Sequence, residues 1–435
     1  MTQLLQKSDE LTRRRFIATC AKAFLGVGLL PITENFFATT ALAATSRPPS
    51  PKRIGRAKSV IYLYMSGGMS HLDTFDVKPR TKEQGPTQAI KSNVDGYLIS
   101  EYLPRLAAGM DKVCIVNSMN SNQGAHEQGN YFQHTSYTLR GTIRHPSLGA
   151  WMMRWQDRFN KTLPASVVIG DASRHPGAGF MEAKFAPVLL SNPANGLANA
   201  RRAGGVTQED FAFRRKLSEQ LDSRFRETYD LKEVRAYTSM YHDAIRLMSS
   251  ADLAAFDINQ ETAELRRTYG DHPFGQGCLL ARRLVEHGVR FVEVTLGGWD
   301  THNANFLRVP ENCEILDKGM SSLLCDLGQR GLLDDTLVVL ATEFGRTPEI
   351  NVNEGRDHYA RAFSGLLAGG GIRGGMVYGK TDRGRQVIEN EVSIPDFNAT
   401  IAAALGLPLA ETVTSPSKRP FTIADEGHPI MDVFA

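Results

Sequence analysis

Cysteine is scarce, with five in 435 residues. Cys20 stands near the N-terminus, and Cys114, Cys278, Cys313 and Cys325 form no C-x-x-C or Cys/His finger spacing. That excludes a zinc ribbon, an iron–sulfur centre and a haem attachment site, and leaves buried free thiols as the expectation. An excess of one charge is also missing. Fifty Lys+Arg against 47 Asp+Glu leave +3, so no global field draws the chain to nucleic acid or to an anionic membrane. No apolar run reaches the roughly 18 residues of a spanning helix, so no stable membrane span is expected. Gly369-Gly370-Gly371 lacks the Lys-Ser/Thr that would follow in a phosphate loop, and there is no dinucleotide glycine fingerprint. No internal repeat is evident.

What is present is ordinary for a folded chain: 42% hydrophobic and 22% charged residues, with a mean hydropathy of −0.27. This excludes a disordered chain, a collagen-like repeat and a small disulfide scaffold. The length suits two or three domains or one large α/β domain.

The first 43 residues have the three-part build of an export signal. Arg13-Arg14-Arg15-Phe16-Ile17 is basic, Ala23 to Leu30 is apolar, and Ala41-Leu42-Ala43 offers small residues for cleavage. The paired arginines before x-Phe-Ile resemble a Tat signal, which implies the Tat translocase as a partner and a periplasmic or extracellular destination. Residues 44–57 read as a linker.

The remainder, 58–435, alternates short β-rich runs with amphipathic stretches. The runs are Lys58–Met65, Val113–Val116, Ser166–Ile169, Val289–Leu296 and Thr336–Ala341. Leu103–Met110 and Cys313–Leu327 read as helices between them. This alternation predicts an α/β fold with a central, mostly parallel sheet and helices on both faces. Residues 207–285 are rich in Glu, Arg, Leu and Ala and read as an inserted set of two to four helices. A Gly- and Arg-rich ribbon or loop is expected over 369–385. A last short helix should start at Asp396, as its N-cap, and stop at Gly406.

Polar clusters follow the predicted strands, where open α/β sheets place their ligands. Three pair a histidine with an aspartate: His71 with Asp73, Asp300 with His302, and Asp357 with His358. Imidazole and carboxylate are ligands for a divalent ion such as Zn²⁺ or Mn²⁺, and adjoining glycines let both side chains turn inward. Glu343 follows the Thr336–Ala341 run. Arg346 either holds an anionic substrate group or pairs with Glu343 to brace the loop. Trp299 reads as a packed wall, and His242, His272 and His287 as structural or exposed.

Ser66-Gly67-Gly68-Met69-Ser70-His71-Leu72-Asp73-Thr74-Phe75-Asp76, Gly297-Gly298-Trp299-Asp300-Thr301-His302, Glu343-Phe344-Gly345-Arg346-Thr347-Pro348 and Gly355-Arg356-Asp357-His358-Tyr359 together resemble the bacterial family of domain of unknown function 1501. That family is similar to the alkaline phosphatase and sulfatase superfamily. The resemblance implies an alkaline-phosphatase-like sandwich and ester hydrolysis at one or two divalent ions (Zn, Mn, Fe, Ca or Mg). It places Asp300, His302, Glu343 and His358, with Asp357 adjoining, at ligand positions. His71 or Asp73 would replace the aspartate that the superfamily carries after its first strand. His126 or a nearby serine, Ser118 or Ser121, would act in catalysis. The expectation is an exported metal-dependent hydrolase of phosphate or sulfate esters, acting on a small-molecule or glycan ester. The alternative is a non-catalytic exported metal- or glycan-binding or assembly protein on the same fold.

Overall fold

The computed structural model describes residues 56–435, apart from positions 199, 201 and 230. The export signal expected over residues 1–43 lies outside the described residues, as does nearly all of the linker.

A nine-stranded sheet organises the chain. Its spatial order is Met376–Tyr378, Val113–Asn120, Phe363–Ala368, Thr336–Ala341, Ser59–Met65, Phe291–Leu296, Ser166–Ile169 and Val188–Leu190, and Val392–Ser393 also pairs with Val113–Asn120. Phe363–Ala368 runs antiparallel to its two neighbours, while the other pairings are parallel. All seven residues of the central Ser59–Met65 strand are buried, as a parallel strand covered on both faces requires. That double burial is why these strands are legible as unbroken apolar runs.

Side chains of Ser59–Met65 alternate between two cores. Ile61, Leu63 and Met65 join Leu280, Leu284, Leu316 and Leu323 on one side. Val60, Tyr62 and Tyr64 join Trp151, Phe397 and Ile401 on the other. The first core is supplied by the helices Pro273–Glu286 and Asn305–Gln329, and the second by Leu148–Trp155 and Ile394–Ala404. The fold is therefore the expected mixed α/β sandwich with helices on both faces.

Local differences from the sequence reading have physical causes. Pro104 opens a helix of one turn, Pro104–Ala107, rather than a helix to Met110. Buried Asp317 accepts hydrogen bonds from the amides of Arg105 (3.0 Å) and Leu106 (2.7 Å), which caps that turn from the neighbouring helix. The helix expected over 313–327 extends to Asn305–Gln329 and takes Pro310 into an early turn. The stretch 207–285 holds Gln208–Thr228, Lys232–Met248, Ala263–Tyr269 and Pro273–Glu286, and the last of these packs on the sheet rather than beside it. The C-terminal helix starts at Ile394, capped by Ser393, and Asp396 closes a capping box from the third position. Cys114, Cys278 and Cys313 are buried free thiols, whereas Cys325 is exposed. Among the described residues, no helix is long and apolar enough to cross a membrane.

The cap gives a direct check. Ser393→Ala removes the acceptor for the Asp396 amide and should cost about 1 kcal/mol of unfolding free energy, read by urea denaturation.

Candidate metal centre

The parallel strands all point their carboxyl ends to one edge of the sheet, and the loops leaving that edge build the site. His126 is the first residue of the helix His126–Thr135, which follows the Val113–Asn120 strand. Asp300 and His302 lie in the loop after Phe291–Leu296. His358 sits in a two-residue ribbon in register with Arg346, just beyond Thr336–Ala341. His126, Asp300 and His358, 58 to 232 positions apart, are thus brought together by the topology.

His126, Asp300 and His358 offer ligand atoms that all lie within 4.8 Å of one another. His126 Nε2 is 3.3 Å from Asp300 Oδ2, and His358 Nε2 is 3.5 Å from Asp300 Oδ1. His302 joins them, with its Nε2 3.2 Å from Asp300 Oδ1 and 3.0 Å from His358 Nε2.

The outward faces of the three imidazoles fix their tautomers. His126 Nδ1 is 2.9 Å from Glu343 Oε1, His302 Nδ1 is 2.7 Å from Asp357 Oδ1, and His358 Nδ1 is 2.9 Å from the Gly124 carbonyl. Each partner is an acceptor, so each Nδ1 carries the proton and donates. The three Nε2 lone pairs then face inward, toward one carboxylate. A metal-binding histidine is oriented in this way, its second nitrogen tied to a carboxylate or a carbonyl. His126 Nε2 is buried and has no hydrogen-bond partner, which leaves a polar atom that an ion would satisfy. Imidazole nitrogens with one carboxylate suit a borderline divalent ion such as Zn²⁺.

Charge is prepared as well. Burial works against ionisation of Asp300, but the hydrogen bond and charge of Arg346, with His126 and His302, outweigh it and hold the carboxyl down at about 2. Burial, together with the charges around it, keeps His358 below the ordinary imidazole range, in the neutral form that a ligand needs. Burial also opposes charge on Glu343, yet its bond to His126 and the backbone amides lower it, and it stays an anion.

The structure separates the expected site residues into those that converge and those that support them. Glu343 lies behind His126, with Oε1 accepting from His126 and the Gly67 amide (2.9 Å) and Oε2 from Tyr64 OH (3.0 Å). Asp357 orients His302 and is half exposed. Arg346 is turned inward and pairs with Asp300 rather than with Glu343. Its fully buried guanidinium donates to Asp300 Oδ1 (2.7 Å) and to the carbonyls of Gly67, Gly68 and Arg356. His71 and Asp73 lie outside the convergence. His71 is fully buried, with Nε2 on the Gly384 carbonyl at 2.9 Å. Asp73 is bound by Arg356 Nε (2.8 Å), Ser70, Thr87 and Asn305, so its carboxylate is a structural anchor. Ser118 is fully buried, and Ser121 lines a separate cavity of about 510 Å³ with Arg361 and Glu391. Trp299 is fully buried, as its packing role requires.

A cavity of about 320 Å³ opens onto His126 and Asp300. Beyond them it is lined by Tyr64, Asn130, Ser173, Arg174 and a second histidine cluster that the sequence reading missed. There His134 Nε2 is 3.2 Å and His175 Nε2 3.5 Å from the two oxygens of buried Glu293. The signal for it was a carboxylate inside an otherwise apolar strand run, Val289–Leu296.

The site therefore defines a candidate metal protein built on an α/β sandwich. Residues 57–434 match the family described as protein of unknown function (DUF1501), and the chain belongs to that family. No match was found among curated proteins. Solved structures similar to the chain include a sulfatase from Pseudoalteromonas sp., at 13% identity over 87% of this chain and 72% of that one, with a TM-score of 0.40. The alkaline phosphatase of the Antarctic bacterium TAB5 is 13% identical over 72% of this chain and 92% of that one, at 0.32. A periplasmic domain from Escherichia coli solved with Zn is 10% identical over 89% and 99%, at 0.37.

The reassignment of Asp73 is testable. Asp73→Ala leaves the fully buried Arg356 without its counter-ion and should cost about 3–5 kcal/mol in urea denaturation. Metal content per folded molecule should not change, which a ligand role for Asp73 would not allow.

Proposed function

We propose that the chain is an exported metal-dependent hydrolase of phosphate or sulfate esters, with the ion held by His126, Asp300 and His358 and with His302 at its edge. The observation that supports this reading is the convergence of three inward-facing imidazole lone pairs on one ionised aspartate, at the mouth of a small polar cavity. A divalent ion bound there supplies positive charge that polarises an ester oxygen and acidifies a water. The chain's own residues do the positioning. Glu343 and Asp357 hold the rings of His126 and His302, and Arg346 holds Asp300 in its ionised form. Arg174 is the arginine that lines the cavity, and it takes the role expected of Arg346: holding the anionic group of the ester.

A non-catalytic binding protein is the second reading. It is supported by one observation: among the described residues, no serine or threonine hydroxyl bonds to Asp300 or to the three imidazoles.

The first test is metal content by mass spectrometry, run beside a panel of phosphate and sulfate esters. Asp300→Ala and His358→Ala should each lose most of the bound ion and reduce turnover at least a hundredfold, with an unchanged circular dichroism spectrum. Full metal occupancy in both variants would sink the ligand assignment. Arg174→Ala should keep the metal and raise KM about tenfold or more for an ester dianion, with Arg174→Lys in between. Metal with no turnover across the panel favours the binding protein.

A further inference from the structure

The helix Gln208–Thr228 stands apart from both cores. It has 21 residues, about 32 Å at 1.5 Å per residue, and none of its residues is buried. Phe213, Leu217, Leu221 and Phe225 recur at every fourth position and are 68%, 46%, 43% and 52% exposed. Tyr229 and Leu231 extend the apolar surface. Six of the thirteen exposed large apolar side chains among the described residues lie in this one segment. The contact between Glu219 and His242 of the next helix, at 3.2 Å, is polar and leaves the stripe open. Most of a helix's stability in a protein comes from packing an apolar face rather than from propensity.

Charge identifies the occupant. Along the helix the sign alternates in blocks: acidic at Glu209 and Asp210, basic at Arg214 to Lys216, acidic at Glu219 and Asp222, basic at Arg224 and Arg226. With Glu227 the acids and bases balance, so nothing favours an anionic lipid surface, which calls for a basic polar face. A parallel copy would set each block against its like. An antiparallel copy centred at Leu217 sets the acidic first turn against the basic last turns, with Asp210 opposite Arg224. The same register lays Phe213 on Leu221 and Leu217 on Leu217. The helix dipoles also oppose favourably in that arrangement.

We propose that this face pairs antiparallel with the same helix of a second copy of the chain and makes the protein a dimer. The pairing is independent of the metal centre.

The test is sedimentation velocity of the whole protein from about 1 to 100 µM, with dissociation in the micromolar range expected for so small an interface. Leu217→Glu and Leu221→Glu should each give a monomer across that range, with helix content and metal content retained. Asp210→Arg and Arg224→Glu should each weaken association roughly fivefold, and the double variant should restore it. A wild type that is monomeric at 100 µM overturns the proposal. So does a dimer indifferent to both leucine variants, or a monomer that binds lipid vesicles instead. Failure of the double charge swap to restore association overturns the antiparallel register.

Discussion

A single buried guanidinium organises the edge of the sheet where the site lies. Arg346 is fully buried, and taking an arginine out of water costs several kcal/mol unless every donor finds an acceptor. Here the acceptors are the carbonyls of Gly67, Gly68 and Arg356 and the carboxylate of Asp300. Those partners belong to three different loops: the one after Ser59–Met65, the one after Phe291–Leu296, and the one leading into His358. The position of Asp300 relative to His358 is thus fixed by one side chain rather than by either loop. Gly67 is part of the same joint. Its φ is +120°, and a Cβ there would meet the Asp300 amide at 2.6 Å, so that approach admits only glycine.

Arg356 repeats the arrangement one layer deeper. It is also fully buried, and it binds Asp73 and the carbonyls of Thr347, Pro348, Glu83 and Gln84. The Gly-Arg-Asp-His and Glu-Phe-Gly-Arg motifs are therefore architectural through their arginines, while Glu343, Asp357 and His358 stand at the candidate site. This explains which parts of the site were legible in the sequence. Strand runs were legible because double burial writes an unbroken apolar string. Asp300, His302 and His358 were legible because a polar cluster just past such a run has few structural reasons to exist. His71 and Asp73 share that pattern, but the sequence does not reveal that Arg356, 283 positions away, claims the carboxylate. The role of Arg346 could not be assigned for the same reason: whether a guanidinium faces substrate or carbonyls depends on loops that meet only in three dimensions.

The second histidine cluster repeats the composition of the first within a different set of outer hydrogen bonds. His134, His175 and Glu293 match the first cluster in residue type and in spacing. Their outer faces differ. His175 Nδ1 accepts the Gly177 amide at 3.0 Å, so its proton sits on Nε2 and points at Glu293. His134 Nδ1 donates to the Asn130 carbonyl at 2.8 Å, and its Nε2 faces the other carboxylate oxygen. Burial disfavours the charged imidazole, yet the charge and hydrogen bond of Glu293 raise its affinity for a second proton. Glu293, despite the burial that opposes its charge, is held ionised by both rings. Protons give this cluster the character of an ion pair, although Glu293 Oε2, 3.5 Å from His175, is left without a hydrogen bond. In the first cluster, a proton shared between His302 and His358 would settle that contact and leave His126 Nε2 3.3 Å from Asp300 Oδ2 without a hydrogen bond. The two clusters line one cavity, both hold ligand atoms close enough to share an ion, and the hydrogen bonds on the far side of each ring set which nitrogen lone pairs turn inward.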